Sequence, residues 1–363
     1  MATPRVIVLG GGLAGVSSAL WLALRGARVT LVEREPRLGV HASGRGAGLI
    51  RQVLADPVLA ALTRRGGRLL AEPPGGLAPL YAVTGSVLLA SGEEAAPYRA
   101  AARAAQADGL ECAVRDPGEV ELCGVTPAPG SIAIHTPSDG LATPARVLQR
   151  LADAAARAGV EQVLDAEATL VHAGGELAVE AGGRRLEAEW VVNAAGAWAA
   201  ELVSAAGGAA LPLTSYRRHL VQAACDAPPA SWVWDVSRGV YVRPDADGVM
   251  LCACDQTPRP PEDAEVDPAE VRRLQATLGE LAPRWAGLEL GRRWAGLRGF
   301  VPDGRFVIGP DPQWPRLVWA TALGGHGLTS CLAVGELAAG AVFGEPTPAE
   351  LSPARYPAVE VGS

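Results

Sequence analysis

The stretch from Pro4 to Glu33 constrains this chain most. Val6, Ile7, Val8 and Leu9 form a short apolar run, the pattern of a strand buried on both faces. Gly10-Gly11-Gly12-Leu13-Ala14-Gly15 follows and fits G-x-G-x-x-G. An apolar-periodic segment from Val16 to Leu24 predicts a helix, and Arg28 to Val32 a second strand ending at Glu33. In such a unit Gly10 allows the tight turn, Gly12 lets a diphosphate approach the backbone, and Gly15 lets the helix pack close to the strand. The helix N-terminus offers free N–H groups and partial positive charge to phosphates. Glu33 stands 18 residues after Gly15, where it suits a ribose hydroxyl and repels a 2′-phosphate. The unit predicts a bound dinucleotide without separating FAD from NAD.

At 363 residues the chain exceeds one ordinary domain and predicts two. A net charge of −7 with no basic block argues against a nucleic-acid partner. All 32 basic residues are Arg, which excludes lysine Schiff-base chemistry and lysine-assisted oxygen activation. The six Cys show neither CxxC nor zinc spacing, so no metal site is expected and reduced thiols are. Cys252 and Cys254 alternate along an expected strand and should share a face. Residues 1–24 lack the signal-peptide pattern, and no stretch has the roughly 18 uninterrupted apolar residues of a membrane helix. A cytoplasmic chain, free or peripheral to a membrane, is expected.

Further along, Pro36 to Gly48 is too glycine-rich for a core element and is expected to touch the cofactor. Helices are expected over Asp56–Leu70, Glu93–Ala107, Pro144–Arg157 with Thr143 as N-cap, Asp267–Leu281 and Leu328–Ala341. Strands are expected at Val87–Ala90, Ser131–His135, Val160–Val163, Ala168–Val171, Trp190–Asn193, Arg218–Ala223, Trp232–Asp235, Val240–Arg243, Val249–Ala253, Arg305–Ile308 and Leu317–Ala320, with a hairpin around Gly182-Gly183. The ends and middle read as parallel α/β and the intervening pieces as antiparallel. The expected fold is α/β: a Rossmann-like dinucleotide domain (1–80, 140–212 and 295–363) interleaved with an antiparallel-sheet α+β substrate domain (81–139 and 213–294).

Several stretches then occur in order: the glycine loop, His41-Ala-Ser-Gly-Arg45, Val192-Asn-Ala-Ala-Gly-Ala-Trp198, Trp294-Ala-Gly-Leu-Arg298, Pro302-Asp-Gly304 with Val307-Ile-Gly-Pro310, and Gly324-Gly-His-Gly327. Together they resemble the D-amino-acid-oxidase superfamily of FAD enzymes over nearly the whole chain. Within it the chain is most similar to D-arginine dehydrogenase and related D-amino-acid dehydrogenases. The resemblance implies FAD held by Gly10, Gly12, Leu13, Ala14, Gly15, Glu33 and Arg34. It adds contacts from Ser43, Gly44, Arg45 and Gly46, from Val163 at the adenine, and from Ala195, Gly196 and Trp198. The remaining contacts come from Arg298, Gly324, Gly325, His326, Gly327, Leu328 and Thr329. The FAD is non-covalent, because the position where sarcosine oxidases attach flavin through Cys lies near Gly296.

The resemblance also implies that Arg298, helped by Arg218 and Tyr241, binds a substrate carboxylate. Arg217 adjoins Arg218 on a strand, so only one of them can face inward. His41 and His326 read either as scaffold or as proton carriers. Tyr241 reads as pocket wall or core aromatic, and so do Trp232 and Trp234. Arg51 is expected on an exposed helix face, although sarcosine oxidases resemble Leu49-Ile50-Arg51 in the pocket. The stretch Thr84-Gly85-Ser86-Val87 lacks the acid that caps a substrate guanidinium in D-arginine dehydrogenase, which favours a neutral or apolar side chain. The expected reaction is oxidative deamination of a D-amino acid, with electrons passed on to oxygen, a quinone or a dye. The alternatives are a glycine- or sarcosine-type amine, a 2-hydroxy acid, or a flavin-carrying subunit without turnover.

Overall fold

A computed structural model describes residues 3–173 and 176–356. The apolar run at the start is the strand Arg5–Leu9. It pairs in parallel with Arg28–Val32 on one side and Trp190–Asn193 on the other. Outward from these lie Glu161–Val163 and, on the far side, Leu317–Thr321 and the antiparallel edge Val307–Pro310. Both faces are covered, as the unbroken apolar runs require. The helix Leu13–Leu24 packs on Gly327–Val342 and on Pro144–Arg157, and Pro57–Ala71 packs on Gly327–Val342. A three-stranded antiparallel sheet, Ala168–Ala173, Glu176–Ala181 and Arg184–Glu187, covers the other face with the help of Ala199 and Val203.

Among the described residues the second large sheet has nine strands. Its spine is Thr214–Ala224, flanked by Leu290–Phe300 and Gly248–Cys252, then Val240–Asp245 and Trp232–Asp235. It is antiparallel except where Trp232–Asp235 runs parallel to Ser86–Ala90.

Helix starts follow local chemistry. Asp56 accepts from the N–H groups of Val58 and Leu59, and Asp267 from that of Ala269, each with Pro at the first helical position. Thr143 occupies the expected N-cap, but its side chain makes no capping bond. The first helix begins at Leu13, not Val16, because Gly12 is already its N-cap.

One strand goes unread in the sequence and one expectation fails. Leu290–Phe300 is an eleven-residue strand that the sequence hides behind Gly291, Gly296 and Gly299, since glycine weakens the strand signal. Cys252 and Cys254 do not share a strand face. The strand ends at Cys252, and Cys254 turns back at φ +47° so that its N–H donates to the Cys252 sulfur at 3.2 Å. All six cysteines are free thiols. No helix among the described residues is long and apolar enough to cross a membrane.

Candidate active site

One cavity of about 970 Å³ runs from the glycine loop to the face of the second sheet. At the loop end the backbone leaves no room for side chains. A Cβ on Gly10, at φ +103°, would meet the Ala194 carbonyl oxygen at 2.5 Å, and one on Gly15 would meet the Gly10 carbonyl oxygen at 1.9 Å. Gly15 therefore sits under the cavity and sets the helix–strand spacing, while Gly10, Gly12, Leu13 and Ala14 line it. The helix starting at Leu13 has no acidic residue in its first turn. The Leu13 N–H donates to the Ser43 hydroxyl at 2.9 Å, which fixes the following loop over the helix N-terminus. This N-terminus, free of acidic side chains and set beneath a glycine cradle, fits a diphosphate.

Glu33 lines the cavity, and its carboxylate accepts from Gly11 N–H at 2.6 Å and from Glu35 N–H at 2.9 Å. Arg34 lies over the Trp198 ring at 3.8 Å. His41 bonds Glu35 at 2.8 Å and packs against Trp198. His41 therefore belongs to this end, where it holds Glu35 and Arg34 in place. Its contacts there are those of a scaffold residue, and its hydrogen bond lowers the Glu35 pKa. Val163 does not line the cavity; its carbonyl accepts from Glu33 N–H, and Ala166 to Leu170 form that wall instead. Gly44 also lies outside the lining, while Ser43, Arg45 and Gly46 are in it. The Arg45 guanidinium turns away to the carbonyls of Val40, Ala264 and Ala295, joining the loop to the second sheet. Ala195, Gly196 and Trp198 line the middle of the cavity.

At the far end strand register does the positioning. Arg218 stands opposite Gly296 and Tyr216 opposite Arg298, so Arg218 and Arg298 are diagonal neighbours on one face. Trp234 stands opposite Tyr241, and Tyr241 opposite Cys252. Arg217 points to the other face and pairs with Asp267 at 2.8 Å, which settles which of the two adjacent arginines reaches the cavity. Arg218 donates to the carbonyls of Asp255 and Cys254 at 3.1 and 3.4 Å. The Asp255 carboxylate is taken by His219 at 2.7 Å. The Tyr241 hydroxyl is buried without a hydrogen-bond partner. Burial and the neighbouring Cys252 raise its pKa well above 10, so it is a neutral donor. Burial also opposes ionisation of Cys252, but Cys254, Arg218 and Arg298 outweigh it and hold that thiol below its ordinary value.

The opposite wall is the start of the helix Gly327–Val342. Gly324 and Gly325, at φ +52° and +88°, turn the chain, and Gly325 leaves the space that a Cβ would contest with the Arg298 side chain at 3.0 Å. Gly324 to Thr329 all line the cavity. His326 is held neutral: burial, then Arg51, Arg218 and Arg298, push its pKa well below 6.5.

Arg51 is not on a helix face. It follows the short strand Leu49–Ile50, is 6% exposed, lies 4.2 Å from the Trp234 ring and approaches His326 at 3.4 Å. Its N–H donates to the Thr329 hydroxyl. The sequence signal for this placement was the resemblance of Leu49-Ile50-Arg51 to sarcosine oxidases. Trp232 is core, its indole N–H bonded to the Gly140 carbonyl, whereas Trp234 is cavity wall. Tyr98, Cys254 and Gln256 are among the lining residues that sequence reasoning missed.

Behind Arg51 the fully buried Asp139 accepts from Gln52 N–H and Nε2 and from the Ser86 hydroxyl. Burial pushes its pKa up to about 7 against those bonds. The folded chain thus keeps a proton that the unfolded chain releases near pH 4. Stability is therefore highest at low pH with respect to this group and falls as pH rises toward 7, by up to ~1.4 kcal/mol per pH unit. Asp139→Asn should flatten that slope in melting curves taken from pH 5 to 7; an unchanged slope contradicts the assignment.

The family described as "DAO: FAD dependent oxidoreductase" matches residues 5–341. Glycine oxidase of Pseudomonas aeruginosa is 27% identical, over 93% of this chain and 95% of its own length. The tRNA 5-methylaminomethyl-2-thiouridine biosynthesis bifunctional protein MnmC of Burkholderia multivorans is 30% identical over 98% of this chain, which spans only 59% of that protein. The structure of L-proline dehydrogenase from P. horikoshii superposes with a TM-score of 0.87 at 24% identity, covering 97% of each chain, a likeness of fold.

Proposed function

This chain belongs to the FAD-dependent oxidoreductase family, and we propose that it oxidises the C–N bond of a small amine bearing a carboxylate, a D-amino acid in the first instance. The observation that carries the proposal is the Arg218–Arg298 pair beside the unpartnered Tyr241 hydroxyl on one sheet face inside the cavity. A carboxylate is the group such a set recognises: a guanidinium fork takes both oxygens and the phenol adds a third donor. Fixing the carboxylate fixes the α-carbon next to it, which is the positioning such a reaction needs.

Bound FAD, which the glycine cradle and the open helix N-terminus suit, supplies the hydride acceptor. The chain's own part is to orient the substrate, with neutral His326 and Tyr241 as hydrogen-bonding groups. A substrate whose amine is already neutral needs no general base: the nitrogen lone pair forms C=N as hydride leaves the α-carbon, and water hydrolyses the imine to an oxo acid. Arg51, Arg218 and Arg298 repel a cationic side chain, which speaks against arginine or lysine as substrate. No cysteine stands at Gly296, in keeping with non-covalent FAD. The similarity to glycine oxidase supports a second reading, glycine or an N-substituted glycine. We propose the division into 1–80, 140–212 and 295–363 against 81–139 and 213–294 as the corresponding domains, with the strand Leu290–Phe300 crossing between them.

An anaerobic screen of D- and L-amino acids, glycine, sarcosine and 2-hydroxy acids, followed by flavin absorbance, tests the reading. Bleaching by amines but not hydroxy acids is expected. A yellow protein that no amine bleaches would reject it in favour of a flavin-carrying subunit.

A further inference from the structure

Three guanidiniums share the far end of the cavity, and one carboxylate cannot use them all. Arg218 and Arg298 reach it from the sheet, and Arg51 from the facing wall that Thr329 and Trp234 hold. No carboxylate among the described residues forms an ion pair with any of them. Arg51 is buried with its Nε lacking any hydrogen-bond partner, and its other contacts are an aromatic face and the neutral His326 ring. The nearby Asp139 is only a partial counter-ion, because burial pushes its pKa up to about 7 and it keeps its proton over much of the range below that. Asp255 is committed to His219 on the other face of the sheet. Cys252, as a thiolate, would neutralise one of the three charges and leave two. Unpaired buried charge is costly, and so are buried donors without acceptors.

Resting on the function proposed above, we infer that the substrate carries a second carboxylate, gripped by Arg51 across the cavity from the Arg218–Arg298 pair. This differs from the neutral or apolar side chain expected from the sequence. Two substrate types carry that chemistry: an acidic D-amino acid, with the second carboxylate on its side chain, and an N-carboxyalkyl amino acid, with it on the nitrogen substituent.

The test uses the FAD-loaded protein and unreactive probes, measuring Kd by calorimetry for acetate against malonate and propionate against succinate. The dicarboxylate of each pair should bind at least about tenfold tighter, the worth of one charge-assisted hydrogen bond. Arg51→Gln should bring the ratio to about one, and Arg51→Lys should restore part of it. Equal affinities in the native protein, or a ratio that Arg51→Gln leaves intact, would overturn the inference; the native ratio decides even if that variant fails to fold. Anaerobic mixing with D-aspartate, iminodiacetate, D-alanine and glycine then separates the two sources. D-alanine or glycine bleaching the flavin as efficiently as either dicarboxylate would sink the second carboxylate but leave the proposed function standing. Bleaching by none of these four, with no bleaching in the wider amine screen above, would sink the proposed function, with the affinity ratio still judging the inference.

Discussion

Arg298→Ala leaves a yellow protein whose kcat/KM for its amine substrate falls about a hundred- to a thousand-fold, mostly through KM, as loss of two charge-assisted hydrogen bonds requires. The side chain comes from a sheet strand and makes no ion pair among the described residues, so its removal unpairs no protein carboxylate. Its nearest structural debt is to Gly325, whose missing Cβ leaves space for it. Steady-state kinetics together with the flavin spectrum checks both halves of the expectation. Unchanged KM would reject the carboxylate role, while loss of flavin would show that Arg298 holds the cofactor site together. Arg298→Lys keeps the charge but loses the fork, and should recover only part of the loss.

The second large effect is at the other end of the cavity. Gly15→Ala puts a methyl group 1.9 Å from the Gly10 carbonyl oxygen, a backbone atom that cannot swing aside. The helix Leu13–Leu24 must lift from the strand Arg5–Leu9, and the diphosphate cradle opens with it. Overpacking of this kind costs about 1–3 kcal/mol. We expect purified Gly15→Ala to be colourless and to melt several degrees lower, read by absorbance and by thermal denaturation. Full flavin content in that variant would contradict the proposed cradle.

The unit around the glycine loop was legible because each part of it is local: an apolar run, three glycines at fixed offsets and an acid at the end of the next strand. Arg218 and Arg298 were legible through motifs, not geometry, and the register of Thr214–Ala224 against Leu290–Phe300 is what makes them neighbours. That register was hidden because glycines interrupt the second strand. One of them, Gly296, is needed there, since a Cβ would press on the Arg45 side chain at 3.2 Å. Arg51 escaped because its setting is entirely non-local: Trp234, His326 and Thr329 come from two distant segments. His41 was left open between scaffold and proton carrier because the motif that bears it and Ser43 does not show its contacts with Glu35 and Trp198.

The central claim is that this cavity holds FAD at one end and pins the α-carbon of a carboxylate-bearing amine at the other. Anaerobic rapid mixing of the FAD-loaded protein with such an amine, alongside the same compound deuterated at the α-carbon, tests it most directly. The account predicts stoichiometric bleaching of the flavin that is slower for the deuterated compound and that in Arg298→Ala needs a far higher amine concentration to reach the same rate. Bleaching at the same rate for both compounds, or no bleaching of a fully FAD-loaded protein by any amine, would contradict it.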